Sequence, residues 1–110
     1  MQIDTSAQGP WTVLILAGKI DNAGAAELKT ALTPHLSTGG ELALDFTGVE
    51  YITSSGFRVL LSAFKDIRAA NGRLLLGNMS EHVRGFFEMA GLGTVFKITA
   101  NIYDVVPPTE

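Results

Sequence analysis

A chain of 110 residues, 46% of them hydrophobic and 17% charged, has apolar material for one core and no room for two, which excludes a disordered chain. The formal net charge is -3, and Lys and Arg are scattered among acids, so no basic face exists for nucleic acid. With no cysteine, disulfides, zinc–thiolate sites and thiol catalysis are excluded.

The opening M-Q-I-D-T lacks the basic and apolar regions of a secretory signal. No apolar run reaches the ~18 residues of a membrane-spanning helix. A cytoplasmic location is therefore expected. Residues 2 to 6 read as an edge strand, and Gln8-Gly9-Pro10 as a turn. The run W-T-V-L-I-L-A (11 to 17) is short and β-branched, which predicts a buried strand ended by Gly18. Asp21-Asn22 offers an N-cap for a helix running to about Ser37, with Ala25, Leu28, Leu32 and Leu36 on one face. Pro34 predicts either a kink or an early end to it.

E-L-A-L-D-F (41 to 46) alternates as a strand, and V-E-Y-I follows after a Thr-Gly break. Three hydroxyl residues, Thr53, Ser54 and Ser55, then precede Gly56. Phe57, Leu60, Leu61, Phe64 and Ile67 follow at the spacing of an amphipathic helix that Asn71-Gly72 closes. R-L-L-L-G (73 to 77) is another short strand. Ser80 caps a third helix that places Val83, Phe86, Phe87 and Ala90 on one face, with Phe86 assigned to the core and Gly91 as its stop. A last strand is expected over 94 to 98, then a frayed tail with a short helical turn between Ile102 and Val106. The order β-β-α-β-α-β-α-β predicts an α/β fold: a small, mixed, mostly parallel sheet flanked by helices, in a single domain over 1–110 with its core at about 11–100.

The T-S-S-G turn lies at a strand's carboxyl end directly before a helix, where ligands and chemistry gather in open α/β sheets. Two readings stand side by side. Ser54 or Ser55 is the N-cap or a first-turn residue of that helix and nothing more. Alternatively, a hydroxyl here is a modification site, because a helix start tolerates the ~-1.5 to -2 charge of a phosphate. Hydrolase chemistry fits poorly. Ile52 stands where G-x-S-x-G requires glycine, and the two histidines, His35 and His82, both read as surface residues. Asp45 and Glu50 lack a third acidic residue for a metal site, and no phosphate-binding glycine loop occurs.

Three segments then resemble one family in order and at matching intervals: G-K-I-D-N-A-G-A-A-E-L-K (18 to 29), L-A-L-D-F-T-G-V-E-Y-I-T-S-S-G-F-R-V-L (42 to 60) and N-M-S-E-H-V-R-G-F-F-E-M-A-G-L (78 to 92). On these the chain is identified as a member of the STAS domain family, resembling the stand-alone bacterial anti-sigma factor antagonists. The resemblance implies a non-enzymatic, monomeric switch protein without a cofactor. Its unphosphorylated form would bind an anti-sigma factor that is itself a GHKL-type serine/threonine kinase. Phosphorylation of Ser54 would abolish that binding, and a PP2C-type phosphatase would restore it. Asp21, Tyr51, Thr53, Ser54, Ser55, Gly56 and Arg58 are the implied partner-binding positions. The family's aspartate before the acceptor serine is Thr53 here. That departure leaves Thr53 and Ser55 as alternative acceptors. It also leaves open a phosphorylation-independent STAS subunit of a lipid transporter or signalling complex.

Overall fold

The computed structural model describes residues 1–107. Five strands form one sheet in the order β1-β2-β3-β4-β5: β1 (Gln2–Gln8), β2 (Trp11–Ile20), β3 (Glu41–Ile52), β4 (Arg73–Gly77) and β5 (Lys97–Thr99). β1 runs antiparallel to β2, and all later neighbours are parallel. The helices α1 (Asn22–Leu32), α2 (Ser54–Ala69) and α3 (Glu81–Met89) are the crossovers that parallel strands require. No described helix is long and apolar enough to cross a membrane.

Strand alternation sorts the core into two layers. Leu14, Leu16, Leu42, Leu44, Phe46 and Leu76 point to the face that carries the three helices. There Leu28 and Leu32 of α1, Leu60 and Ile67 of α2, and Val83 and Phe87 of α3 close over them. Phe87 is the hub. It meets Phe46 and Phe57 edge-on at centroid distances of 5.9 and 4.9 Å, and Phe96 at 6.0 Å. Each such pair adds ~0.5–1.5 kcal/mol beyond its buried area. Together they fix α2 and α3 against the middle of the sheet.

The opposite face is covered by the chain's own C-terminal segment. Ile102, in a 3-10 turn (Ile102–Asp104), and Val106 bury themselves with Trp11, Val13, Ala43 and Leu75. Asp45, 5% exposed, stands on this face. Its carboxylate accepts hydrogen bonds from the Thr47 amide (2.9 Å), the Thr47 hydroxyl (2.6 Å) and the Tyr103 hydroxyl (2.9 Å). Burial, then the bond to Asp45 and its charge, push the Tyr103 phenol up to about 12.

Several expectations change. β2 does not end at Gly18. It runs to Ile20, with register shifts between Ile15 and Ala17 and between Gly18 and Lys19, and Gly18 sits at φ +106 inside the irregularity. β3 is likewise continuous across Thr47-Gly48. A Cβ on Gly48 would come within 2.7 Å of the Ala17 Cβ, so only glycine lets the strands pass here. Pro34 ends α1 at Leu32 and lies within a 3-10 turn, Thr33–His35, because it denies the α-helix an amide donor. β5 is Lys97–Thr99 rather than 94 to 98, set by pairing with Leu75–Gly77. Of the face expected for α3, Val83 and Phe87 are fully buried and Phe86 packs half-buried against the core, its ring meeting His82 edge-on, whereas Ala90, at the helix's C-cap, is exposed. The tail expected to fray is packed as far as Val106, and its last three residues lie outside the described ones.

Candidate functional site

At the carboxyl edge of the sheet, the two central strands hand the chain to α1 and α2 side by side. Asp21 ends the β2 passage in extended backbone, and its Oδ1 accepts the Gly24 amide at 2.8 Å, so Asp21 is the N-cap of α1. Gly24 admits no side chain, since a Cβ would lie 2.2 Å from the Lys19 carbonyl. α1 therefore starts pressed against the strand that feeds it.

The three hydroxyls at the head of α2 have different fates. Thr53 is the N-cap by backbone position, but its side chain makes no capping bond. Its Oγ1 and its amide both donate to the Ile20 carbonyl at 3.0 Å, which ties the start of α2 to the end of β2. Ser55 donates to Asn22 Oδ1 at 2.5 Å and joins the first turns of the two helices. Ser54 lies between them, exposed, and among the described residues its hydroxyl has no hydrogen-bond partner. Neither serine is a side-chain cap, because Thr53 already occupies the boundary. The first amides of a helix lack intrahelical acceptors, so the start of α2, where Ser54 lies, is favourable to negative charge.

Gly56 seats this turn. A Cβ there would stand 2.6 Å from both Ile20 Cγ2 and Ile52 Cγ1, so α2 packs its backbone directly on the ends of β2 and β3. Phe57 anchors the same turn in the aromatic cluster. Arg58, one turn after Ser54, is exposed and makes no ion pair among the described residues. Tyr51 is half-buried and Glu50 exposed on the strand entering the turn.

The structure thus gathers Asp21, Thr53, Ser54, Ser55 and Gly56 around one turn, with Arg58 beside it. It separates Asp45, which serves the C-terminal segment on the other face, from Glu50. His35 lies in the 3-10 turn after α1, and His82 meets the Phe86 ring edge-on with centroids 4.6 Å apart. No described serine hydrogen-bonds a histidine, and no described group of acids and histidines can hold a metal. The turn presents one exposed hydroxyl, Ser54, beside two that are engaged. Asn22 is the residue the sequence assigned least well. Paired with Asp21 as a cap, it instead bonds Ser55, a contact across 33 positions that no local pattern signals.

Residues 3–100 match the family model described as Mlab, STAS domain. The chain is 33% identical over 85 residues to the anti-sigma-B factor antagonist of Bacillus subtilis, covering 77% of this chain and 78% of that protein. It is 34% identical over 86 residues to the anti-sigma-B factor antagonist of Listeria monocytogenes, covering 77% and 75%. In structure it is similar to the unphosphorylated form of the anti-sigma factor antagonist SpoIIAA, with a TM-score of 0.75 at 20% identity over 94% of this chain and 93% of that one. The phosphorylated form of SpoIIAA, from Bacillus, gives 0.69 at 20% identity over 94% and 96%.

Proposed function

We propose that this chain, which belongs to the STAS domain family, is an anti-sigma factor antagonist switched by phosphorylation of Ser54. The observation that carries this reading is the state of the three hydroxyls: Thr53 and Ser55 are engaged, and Ser54 is exposed at a helix start without a partner among the described residues. The names of the relatives support the antagonist role, and SpoIIAA, to which the fold is similar, is known in unphosphorylated and phosphorylated forms.

In the unphosphorylated state, the turn and its rim (Asp21, Tyr51 and Arg58) dock on an anti-sigma factor and displace the sigma factor from it, while Gly56, buried against Ile20 and Ile52, seats the turn from beneath. The same anti-sigma factor, a GHKL-type kinase, transfers the γ-phosphoryl group of ATP to Ser54 Oγ and leaves ADP. The hydroxyl proton goes to solvent or to a kinase base. The chain itself contributes no catalytic group; it is a regulatory protein acting in the cytoplasm. The added charge of ~-1.5 to -2 meets the free amides of α2, so the fold accepts it. A partner surface shaped for a neutral hydroxyl does not, since burying an unpaired phosphate against it is costly. A PP2C-type phosphatase hydrolyses the ester and restores binding. Thr53, replacing the carboxylate usual before the acceptor, removes one negative charge from the turn and gives the clamp to Ile20 instead.

Intact-protein mass spectrometry and peptide mapping after incubation with the anti-sigma kinase and ATP test the reading. One phosphate on Ser54, with loss of kinase binding, is expected. No phosphate from a kinase active on another substrate overturns it and favours a phosphorylation-independent adaptor.

A further inference from the structure

α1 and α2 start together at the Ser55–Asn22 bond, and between them runs a groove of about 230 Å³. Leu32, Leu36, Val59 and Ala63 form its floor. A second depression, sharing Leu36 and Asp66 with the first, carries it on to Ala69 and Ala70. From Arg58 to Ala70 the open length is about 18 Å at the helical rise per residue. The groove has electrical polarity. Lys29 and Arg58 flank the end nearer the Ser54 turn, and Asp66 stands at the far end. Both cations are exposed and without ion pairs among the described residues, so they are available to a partner's carboxylates. In a chain of net charge -3, two free cations over an apolar floor form a feature complementary to an acidic, apolar segment.

We propose that this groove receives an amphipathic helix of the anti-sigma factor, its apolar face on Leu32, Leu36, Val59 and Ala63, and its carboxylates over Lys29 and Arg58. The inference rests on the antagonist reading and extends its interface beyond the turn. A third helix laid on two parallel ones buries one stripe of side chains in the channel between them. Arg58 joins the two parts of the surface. It lies one turn after Ser54, where i and i+4 side chains meet, so a phosphate on Ser54 competes with the partner's carboxylate for its guanidinium. Phosphorylation then acts twice, by adding charge at the turn and by withdrawing a cation from the groove.

The test is calorimetric titration of the anti-sigma factor into the full chain, with circular dichroism as a check on folding. Wild-type protein that binds and loses binding on Ser54 phosphorylation establishes the antagonist reading; wild-type protein that does not bind removes that reading and this one with it. Given binding, Ser62→Trp, an exposed position on the groove wall, is expected to weaken affinity at least tenfold. The double charge reversal Lys29→Glu with Arg58→Glu is expected to do the same and to flatten the salt dependence. Lys97→Glu, on the edge strand β5, should stay within twofold. Wild-type affinity in both groove variants, with the phosphorylation switch intact, overturns the groove and leaves the Ser54 switch standing.

Discussion

Removing the three hydroxyls one at a time separates the structural from the free ones. Thr53→Val keeps the shape of the side chain and deletes the Oγ1 bond to the Ile20 carbonyl at 3.0 Å. That carbonyl retains the Thr53 amide, also at 3.0 Å, so no acceptor is orphaned. The loss is one half-buried neutral hydrogen bond, ~1 kcal/mol. In a domain of this size that lowers Tm by about 4 °C. Ser54→Ala deletes no hydrogen bond and introduces a better helix former, so its stability change stays within ~0.5 kcal/mol. Ser55→Ala loses the exposed bond to Asn22, ~0.5 kcal/mol. Scanning calorimetry at neutral pH reads the stabilities, and mass spectrometry with the kinase and ATP reads phosphate incorporation. Thr53→Val should be less stable and still modified on Ser54; Ser54→Ala should be as stable as wild type and unmodified. A Tm loss for Ser54→Ala equal to that of Thr53→Val would refute the reasoning, because Ser54 would then be a structural cap.

Asp21→Ala removes the 2.8 Å cap of α1 and should cost ~1 kcal/mol by urea denaturation, most of it recovered in Asp21→Asn. Gly56→Ala drives a methyl onto Ile20 and Ile52, an overpacking of ~1–3 kcal/mol that the ~1 kcal/mol helix-propensity gain only partly offsets. The variant should be net destabilised and bind the partner more weakly; unchanged stability would place the strands further from α2 than described. Tyr103 has its pKa raised from 10.0 to about 12, so its stabilisation is fully present below pH 10 and is lost as pH rises through 12. The linkage ceiling of ~2.7 kcal/mol falls to ~1 kcal/mol because the side chain is 37% exposed. Tyr103→Phe should lose ~1 kcal/mol at neutral pH and flatten that alkaline slope in pH-dependent denaturation.

Local chemistry was legible wherever a residue's role is decided within a few positions of it. Ser80 caps α3 through the Val83 amide, Asp21 caps α1 through Gly24, and Arg73–Gly77 forms a strand with the bounds its composition predicts. Asn71 takes the left-handed conformation after α2 at φ 63, as the Asn-Gly pair suggested. The readings that moved are those a neighbour decides. Gly18 and the Thr47-Gly48 pair look like strand ends, yet the strands continue because β2 and β3 carry each other across the irregular registers. The deeper burial of Phe87 than of Phe86 depends on the rotation of α3 over the sheet, which adjacent aromatic residues in one helix leave undecided. The helical turn within 102 to 106 was legible, but the burial of Ile102 and Val106 is not until the bare face around Trp11, Val13, Ala43 and Leu75 is known to need a cover.

The sequence by itself determined the alternation of strands and helices, the hydroxyl turn at a strand's carboxyl end and the motifs of the STAS family, because period, capping and turn chemistry act over one or two helical turns. Only the tertiary structure decided which hydroxyl is free. Thr53 is held by a carbonyl 33 positions earlier and Ser55 by Asn22, equally distant along the chain, and both contacts exist only once β2 and β3 are neighbours. The groove between α1 and α2, flanked by Lys29 and Arg58, arises in the same way, from side-by-side helix packing that no stretch of either helix specifies alone.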